Sequence, residues 1–265
     1  TPLPEFVTIT APGGSLARAL SDKGERGLLE RYALPPFMAG QRWFAEKSER
    51  IAKVAMRPLA TLAGAENRLA IADVTTAKGE THSYFVPLSV LWGEENLRFL
   101  APKLSWTLAR IRTGPKLGAI LDASYDERFM RDLLGAIRAG NDIPAEGGTI
   151  RVTATEALSA LDFDGTLRSV GVEQSNVTAI ADEQAIVKVY RRLRGGEQPE
   201  ITVTRFLTEI AGFCNTPPFL GAAEYVPEDG APVAIAVVLG FVRNQGNAWD
   251  ATLNALDVDL HAHAL

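Results

Sequence analysis

The feature that most limits the fold is a series of short β-branched segments in the second half of the chain, interrupted by one helical segment. The pattern predicts strands at 150–154, 167–172, 177–181 and 185–191, and again near 222–226 and 232–239. Between the two groups a helix begins with Pro199 in its first turn, and apolar residues follow at helical spacing: Val203, Phe206, Leu207 and Ile210. This order predicts an antiparallel sheet with one main helix packed on it.

The first half also favours an antiparallel sheet. β-rich runs with a turn at 78–80 predict strands at Ile51–Met56, Asn67–Val74, Ser83–Leu91 and Leu97–Leu100. A helical pattern over 28–39 should stop at Pro35-Pro36, and a second helix should cover Glu127–Ala139 and end at Gly140. The fold class is therefore α+β. We expect a lead-in or linker over 1–27, a first domain over 28–140, a second over 141–250 and the start of another helix over 251–265.

Composition excludes several classes of protein. The 265 residues carry a net charge of −5, which disfavours a nucleic-acid binder. A single cysteine, Cys214, excludes an intramolecular disulfide and should be a small buried residue. No apolar run approaches the roughly 20 residues that span a membrane, so we expect a cytoplasmic protein without a membrane partner. Because the sequence starts without methionine, we expect either the middle of a longer polypeptide or a chain trimmed at its start.

Lys188 is the most informative charged residue. Strand alternation places it on the same face as Ile186 and Tyr190, where an ammonium group needs an anionic partner. A phosphate or a helix carboxylate would serve, and an edge-strand lysine that reaches water is the alternative. Glu200 is the helix carboxylate best placed to reach inward, although its position in the first turn also suits the helix dipole.

Other polar groups support two interpretations each. The tip at 170–176 offers backbone N–H groups to an anion, or is a solvated turn. Arg191, Arg192 and Arg194 form either a solvated basic turn or a phosphate site. We expect Trp249, Asn244, Gln245 and Asn247 either to contact a sugar or to cap and pack a helix. Trp43 and Phe44 should pack in the core, with Arg42 on a carboxylate.

The order of strand, polar loop, strand with lysine, helix with glutamate and two further strands is that of the small lobe of protein-kinase-like phosphotransferases. The segments themselves resemble bacterial maltokinases of trehalose and glycogen metabolism. They are LPPFMAGQRWFAEK, YFVPLSVLWG and ASYDERFMR in the first half, and VGVEQSNVTAI, AIVKVYRRL, PEITVTRFLTE, PPFLGAAEY and FVRNQGNAW in the second. The resemblance identifies residues 28–140 with the N-terminal cap domain of that family and 141–250 with a kinase-like N-lobe.

The resemblance implies ATP-dependent phosphorylation of maltose to maltose 1-phosphate with Mg²⁺. It assigns the nucleotide phosphates to Lys188, Glu200, Gln174, Ser175 and Asn176, and the adenine hinge to Leu239, Gly240 and Phe241. Sugar and nucleotide would be the small-molecule partners, and a trehalose synthase domain, fused or associated, the protein partner.

The sequence departs from the family in three places. Thr202 replaces a second acidic residue of the helix, and Leu239-Gly240 replaces a Gln-Glu pair at the hinge. No HGDxH-like loop and no later acidic motif occur, so we expect no catalytic or metal-ligating residue here, weak or no ATP affinity and no phosphate transfer by this chain alone. The alternatives are a kinase for another sugar or aminosugar, or a non-catalytic regulatory or interaction domain attached to trehalose synthase.

Overall fold

A computed structural model describes residues 6–62, 67–93, 101–163, 166–172, 176–244, 246 and 248–263, with backbone alone at 101–103 and 171–172. Two sheets organise this part of the chain. The α+β fold class with antiparallel sheets is confirmed.

The first sheet has the strand order β1-β6-β7-β5-β3-β4-β13, and β2 pairs with β3 beside this path. Its strands are β1 (Thr8–Thr10), β2 (Ile51–Thr61), β3 (Arg68–Thr76), β4 (Thr81–Phe85), β5 (Leu88–Trp92), β6 (Thr107–Thr113), β7 (Lys116–Asp122) and β13 (Arg192–Leu193). Neighbours are antiparallel except for β1 and β6, which run parallel. Because β13 pairs with β4, the chain that follows the predicted Lys188 strand is hydrogen-bonded to the first sheet.

The second sheet has the order β10-β11-β12-β15-β14-β9-β8 and is antiparallel throughout. Its strands are β8 (Ile143–Ala145), β9 (Gly148–Ala154), β10 (Leu167–Val172), β11 (Asn176–Ala181), β12 (Ala185–Tyr190), β14 (Phe219–Pro227) and β15 (Val233–Gly240). The strands predicted for the second half are confirmed to within a few residues at each end.

The helices are α1 (Leu16–Ser21), α2 (Lys23–Leu28), α3 (Leu34–Gly40), α4 (Glu127–Ala139), α5 (Glu156–Ala160), α6 (Pro199–Glu209) and α7 (Ala248–His263), with a π-helical turn at Leu29–Ala33 and 3-10 turns at Pro12–Gly14, Ala101–Trp106 and Ala123–Tyr125. The predictions for α4 and for the start of α6 at Pro199 are confirmed. Helix α4 is capped by Asp126 and ends at Gly140, whose φ of 67° suits glycine.

Two predictions for the first half are wrong in detail. The helical segment does not stop at Pro35-Pro36, because both prolines lie in the first turn of α3, where no intrahelical N–H bond is needed. The predicted strand Ser83–Leu91 is two strands, β4 and β5, separated at Val86-Pro87. The predicted strand Leu97–Leu100 lies outside the described residues. Strands β6 and β7 are not among the predicted strands, although apolar and polar residues alternate over 109–112.

The expected lead-in is also corrected. Residues 8–27 form β1, α1 and α2, and the side chains of Ile9, Leu16 and Leu20 are almost completely buried in the core of the first sheet. The prolines and glycines around residue 12 suggested a linker, but they form a short 3-10 turn between structured elements.

One hydrophobic core joins the two sheets. It contains Leu59, Ile71 and Phe85 of the first sheet, Phe129 of α4 and Val187 of the second sheet. Helix α4 packs on β9, β10 and β14, so the core does not separate at residue 140. No helix in the described ranges is long and apolar enough to cross a membrane.

Candidate functional site

Lys188 lies on strand β12, near the centre of the second sheet. The strand pairs with β11 on one side and β15 on the other. Ala185, Val187 and Val189 are fully buried on one face, and Lys188 is partly exposed on the opposite face. The alternation predicted from the sequence therefore places the ammonium group on the face away from the main core.

Glu200 is the carboxylate that Lys188 meets. Lys188 Nζ donates to Glu200 Oε1 over 3.1 Å, and the two side chains are 21% and 32% exposed. Because Pro199 starts α6, Glu200 stands in the first turn and faces the sheet. The two residues thus form a half-buried ion pair rather than reaching separately into water.

Tyr190 holds the other oxygen of the same carboxylate. Its hydroxyl donates to Glu200 Oε2 over 2.7 Å. Burial, together with the hydrogen bond to Glu200, raises the pKa of Tyr190 far above its usual value, so the phenol remains a donor at neutral pH. With one oxygen on Lys188 and the other on Tyr190, the carboxylate is fixed in orientation.

Thr178 adds an unused polar atom near this pair. Its position on β11 is directly opposite Lys188, so the two side chains share a face of the sheet. The hydroxyl is buried and has no hydrogen-bond partner in the described part of the chain.

The predicted phosphate-covering loop is described only at its end. Gln174 and Ser175 lie outside the described residues. Asn176 begins β11, is half-buried and stands opposite Tyr190. The roles of these three residues in phosphate binding stay predictions.

In the expected hinge at Leu239, Gly240 and Phe241, two of the backbone N–H groups already have hydrogen-bond partners within the protein. The N–H of Gly240 donates to Pro218 O over 2.8 Å, and that of Phe241 donates to Gln184 O over 2.9 Å. A Cβ at position 240 would lie 2.6 Å from Pro218 Cγ, which explains glycine there. Leu239 is paired in β15 with Ile186 and Phe219. Adenine recognition through the amides of Gly240 and Phe241 would therefore require both bonds to break.

Three of the four residues in the apolar stripe predicted to bury α6 are instead exposed, and the fourth, Leu207, is half-buried. Val203, Phe206 and Ile210 are 53%, 54% and 74% exposed, whereas Ile201 is buried. The Glu200 pair and the bond from Phe219 N–H to Thr208 Oγ1 turn a different face of the helix toward the sheet. Apolar residues do recur at helical spacing in α6, but most of them do not lie on the face that packs against the sheet.

Arg191 belongs neither to a solvated basic turn nor to a phosphate site, which are the two environments that its sequence context predicts. Its side chain is fully buried and contacts the first sheet. Its guanidinium binds both oxygens of Asp122, at 3.0 and 2.7 Å, and lies 4.1 Å from the centroid of the Trp43 ring. The predicted burial of Trp43 is confirmed, and Arg191 explains part of it.

One minor expectation changes, and another stays open. Cys214 is exposed rather than buried. Trp249 is 71% exposed on α7, and of the amides grouped with it only Asn244 lies among the described residues. A sugar contact by this group stays a prediction.

A cleft of about 1280 Å³ opens beside the ion pair, between the first sheet and the start of α6. One side is lined by Arg42, Trp43, Phe44, Ala45 and Lys47, which follow α3, and the other by Asn176, Tyr190 and Glu200. The remaining lining includes Arg192, Arg194, Glu197 and Gln198.

Together, these observations define a class of protein. The strand order β10-β11-β12-β15-β14, with a lysine on the third strand paired to a glutamate on the helix that follows, is the arrangement of a kinase-like small lobe. Residues 37–126 match the family model of the maltokinase N-terminal cap domain. The chain is thus similar to maltokinases over most of its first sheet.

Solved structures of glucosamine kinase are also similar. One, in complex with glucosamine, ADP and inorganic phosphate, is 16% identical with a TM-score of 0.47, over 83% of this chain and 44% of that one. Another, crystal form A, is 19% identical with a TM-score of 0.46, over 82% and 43%. The chain spans less than half the length of these structures.

Proposed function

We propose that this chain is the N-terminal part of an ATP-dependent sugar kinase and that Lys188 contacts the nucleotide phosphates. The observation that carries the proposal is the 3.1 Å pair between Lys188 and Glu200 on the elements where protein kinases place the same two residue types. The cap-domain match over 37–126 supports a maltokinase, with maltose as acceptor and maltose 1-phosphate as product.

The residues of this chain would position the nucleotide. Glu200, held by Tyr190, orients the ammonium of Lys188. ATP would enter as its Mg²⁺ complex, in which the ion offsets charge on the phosphates. We place this chemistry in the cytoplasm, with a trehalose synthase domain as the protein partner.

The test of the nucleotide site is a binding titration with MgADP. We expect weak binding, with a dissociation constant of the order of 1 mM, equivalent to about −4 kcal/mol. Lys188→Met should weaken it about tenfold or more, because a charge-assisted hydrogen bond is worth about 1.5–3 kcal/mol. Lys53→Met, at an exposed lysine on β2, is the matched control and should bind like the unmodified chain. Equal affinities in all three proteins would refute the assignment.

We also propose that this chain alone transfers no phosphate, since its sequence holds no HGDxH-like motif. Incubation with ATP, Mg²⁺ and maltose should yield no maltose 1-phosphate, and measurable turnover would contradict this. The alternative acceptor is another sugar or an aminosugar. Measuring the kinase activity of a longer protein against a series of sugars decides between these acceptors. If MgADP does not bind even weakly, a non-catalytic domain attached to trehalose synthase becomes the better description.

A further inference from the structure

The cleft beside the Lys188–Glu200 pair contains positive charge that the proposed nucleotide site does not use. Arg42 and Lys47 reach it from the segment that follows α3, and Arg194 reaches it from the segment after β13. These cations come from positions about 150 residues apart in sequence, and the fold brings them to one cleft of about 1280 Å³.

None of these three cations is used to hold the fold. In the part of the chain that the structure describes, the side chains of Arg42, Lys47 and Arg194 form neither an ion pair nor a hydrogen bond, and all three residues are exposed. Arg192 differs, because it lies 2.7 Å from Glu46 and also contacts His82. Arg192 is therefore a structural residue of the junction, whereas the other three are available to a ligand.

The acidic groups of the cleft do not cancel this charge. Glu200 and Glu197 line it, but Glu200 is neutralised by Lys188, which is not among the lining residues. Among the described residues that line the cleft, three cations without an ion pair then face one carboxylate without one, that of Glu197. This local excess of positive charge stands in a chain whose net charge is −5.

Helix α6 adds a weaker attraction of the same sign. Its first residues, Pro199 and Glu200, line the cleft, and its N-cap residue Gln198 makes no side-chain capping bond. The amino end of a helix carries partial positive charge and favours anions. The amino end of α6 therefore adds a small attraction for an anion to the larger one from the three cations.

We propose that this cleft binds a small phosphate monoester, held by Arg42, Lys47 and Arg194, at a site separate from the phosphate position at Lys188. A phosphate monoester has close to two negative charges and three acceptor oxygens, which match two guanidinium groups and one ammonium. Because the ligand would bridge the first sheet and the start of α6, it would fix the turn that carries Glu200. The site is thus an effector site that acts on the orientation of Lys188, beyond the nucleotide binding proposed above.

The experiment is a calorimetric titration of the whole chain with glucose 6-phosphate at low salt, because exposed charges are screened as ionic strength rises. The double variant Arg42→Gln/Arg194→Gln should bind about tenfold or more weakly, since it removes two charge-assisted contacts. The matched control is Lys53→Gln/Arg112→Gln, which changes the same charge at exposed positions outside the cleft and should bind as the unmodified chain does.

The double variant Lys188→Met/Glu200→Gln separates this site from the nucleotide site, because it removes the lysine without leaving the Glu200 carboxylate unneutralised in the cleft. We expect it to leave the affinity for glucose 6-phosphate within about twofold, whatever it does to MgADP. Loss of sugar-phosphate binding in this double variant would show that the anion belongs to the nucleotide site and would overturn the proposal. Unchanged binding in the Arg42/Arg194 variant, or no binding by the unmodified chain, would overturn it as well. Circular dichroism of each variant confirms that the comparison is made between folded proteins.

Discussion

Arg191 connects the strand of the candidate site to the other sheet. It follows β12 directly, and its guanidinium is enclosed by Asp122, Ser124 and Trp43. Both members of the Arg191–Asp122 pair are completely buried. Removing one partner of such a pair leaves an uncompensated charge, which costs far more than the pair itself contributes.

Arg191→Met should therefore lower the free energy of unfolding by about 3–5 kcal/mol. Urea denaturation followed by circular dichroism measures this. Arg128→Met is the control, because Arg128 pairs with Asp126 at an exposed position, where the loss should be at most about 1 kcal/mol. Similar losses in both variants would mean that the buried pair does not hold the two sheets together.

Two buried tyrosines predict how stability depends on alkaline pH. Burial raises the pKa of Tyr84 and of Tyr190 above the usual value of 10.0, and hydrogen bonds to Glu46 and Glu200 add to the shift. On raising the pH, the unfolded chain loses these protons first. The free energy of unfolding should therefore be unaffected by the two groups below about pH 10 and should fall above it, by up to about 1.4 kcal/mol per pH unit for each tyrosine.

Tyr190→Phe should remove its share of this alkaline decline. Urea midpoints between pH 8 and pH 11 measure the slope, and Tyr32→Phe, at a tyrosine that is 62% exposed, is the control. Lysines also titrate in this pH range, but their effect on the slope is the same in both variants and cancels when the slopes are compared. A slope as steep in Tyr190→Phe as in the unmodified chain would contradict the assigned protonation state.

Lys188 and Glu200 were predictable from the sequence, whereas Arg191 was not. The first two follow from strand alternation and from one proline that fixes the start of a helix, which are local signals. Arg191 finds Asp122 on a different sheet, 69 residues earlier in the chain. No local pattern contains that pairing, and three arginines within four residues, Arg191, Arg192 and Arg194, suggested a solvated turn.

At the scale of elements, β14 shows how tightly the second sheet packs on its helices. A Cβ at Gly221 would lie 2.7 Å from Thr153 O and 2.9 Å from Ile137 Cγ2. The first contact is backbone of the neighbouring strand and the second is the core side of α4. Moving either atom would disturb the sheet or the core, so only glycine at position 221 allows β14 to lie this close to β9 and α4.

Gly221→Ala should destabilise the protein by about 1–3 kcal/mol, the usual cost of overpacking. Gly135→Ala is the matched substitution, because Gly135 is exposed within α4 with nothing near its Cβ position, and it should stabilise by about 0.5–1 kcal/mol. Thermal unfolding of the two variants should shift in opposite directions. A shift of the same sign in both would show that the close approach at β14 is relieved without cost.

Helices α4 and α6 show where periodicity succeeds and where it fails. In α4 the predicted apolar face, including Phe129 and Leu133, is buried. In α6 the predicted face is exposed, because periodicity identifies an apolar stripe and not the surface it meets. The Glu200 pair and the bond from Phe219 N–H to Thr208 Oγ1 lie on another face of α6, and hydrophobic spacing does not predict such polar contacts.

For the whole molecule, the shared core implies that the two sheets unfold together. Leu59 and Phe85 of the first sheet lie in the same cluster as Val187 and Phe219 of the second. Pairing of β13 with β4 adds backbone hydrogen bonds across the junction. The sequence predicts two sheet-containing parts but not their common core. A hydrophobic position in the sequence does not indicate which sheet its side chain will pack against.

Unfolding should therefore be a single transition with the same urea midpoint at both ends of the molecule. With Trp92, Trp106 and Trp249 replaced by Phe, fluorescence of Trp43, which is buried among residues of the first sheet, reports on that part. A dye on Cys214, the one cysteine of the sequence, reports on the second part through an exposed site beyond α6. Coincident curves are the accepted sign of two-state behaviour. Arg191→Met should move both curves equally, because the loss is felt by one cooperative unit. Two separate midpoints, with only one of them moved by Arg191→Met, would show that the sheets are independent domains and that the lysine strand folds without support from the first sheet.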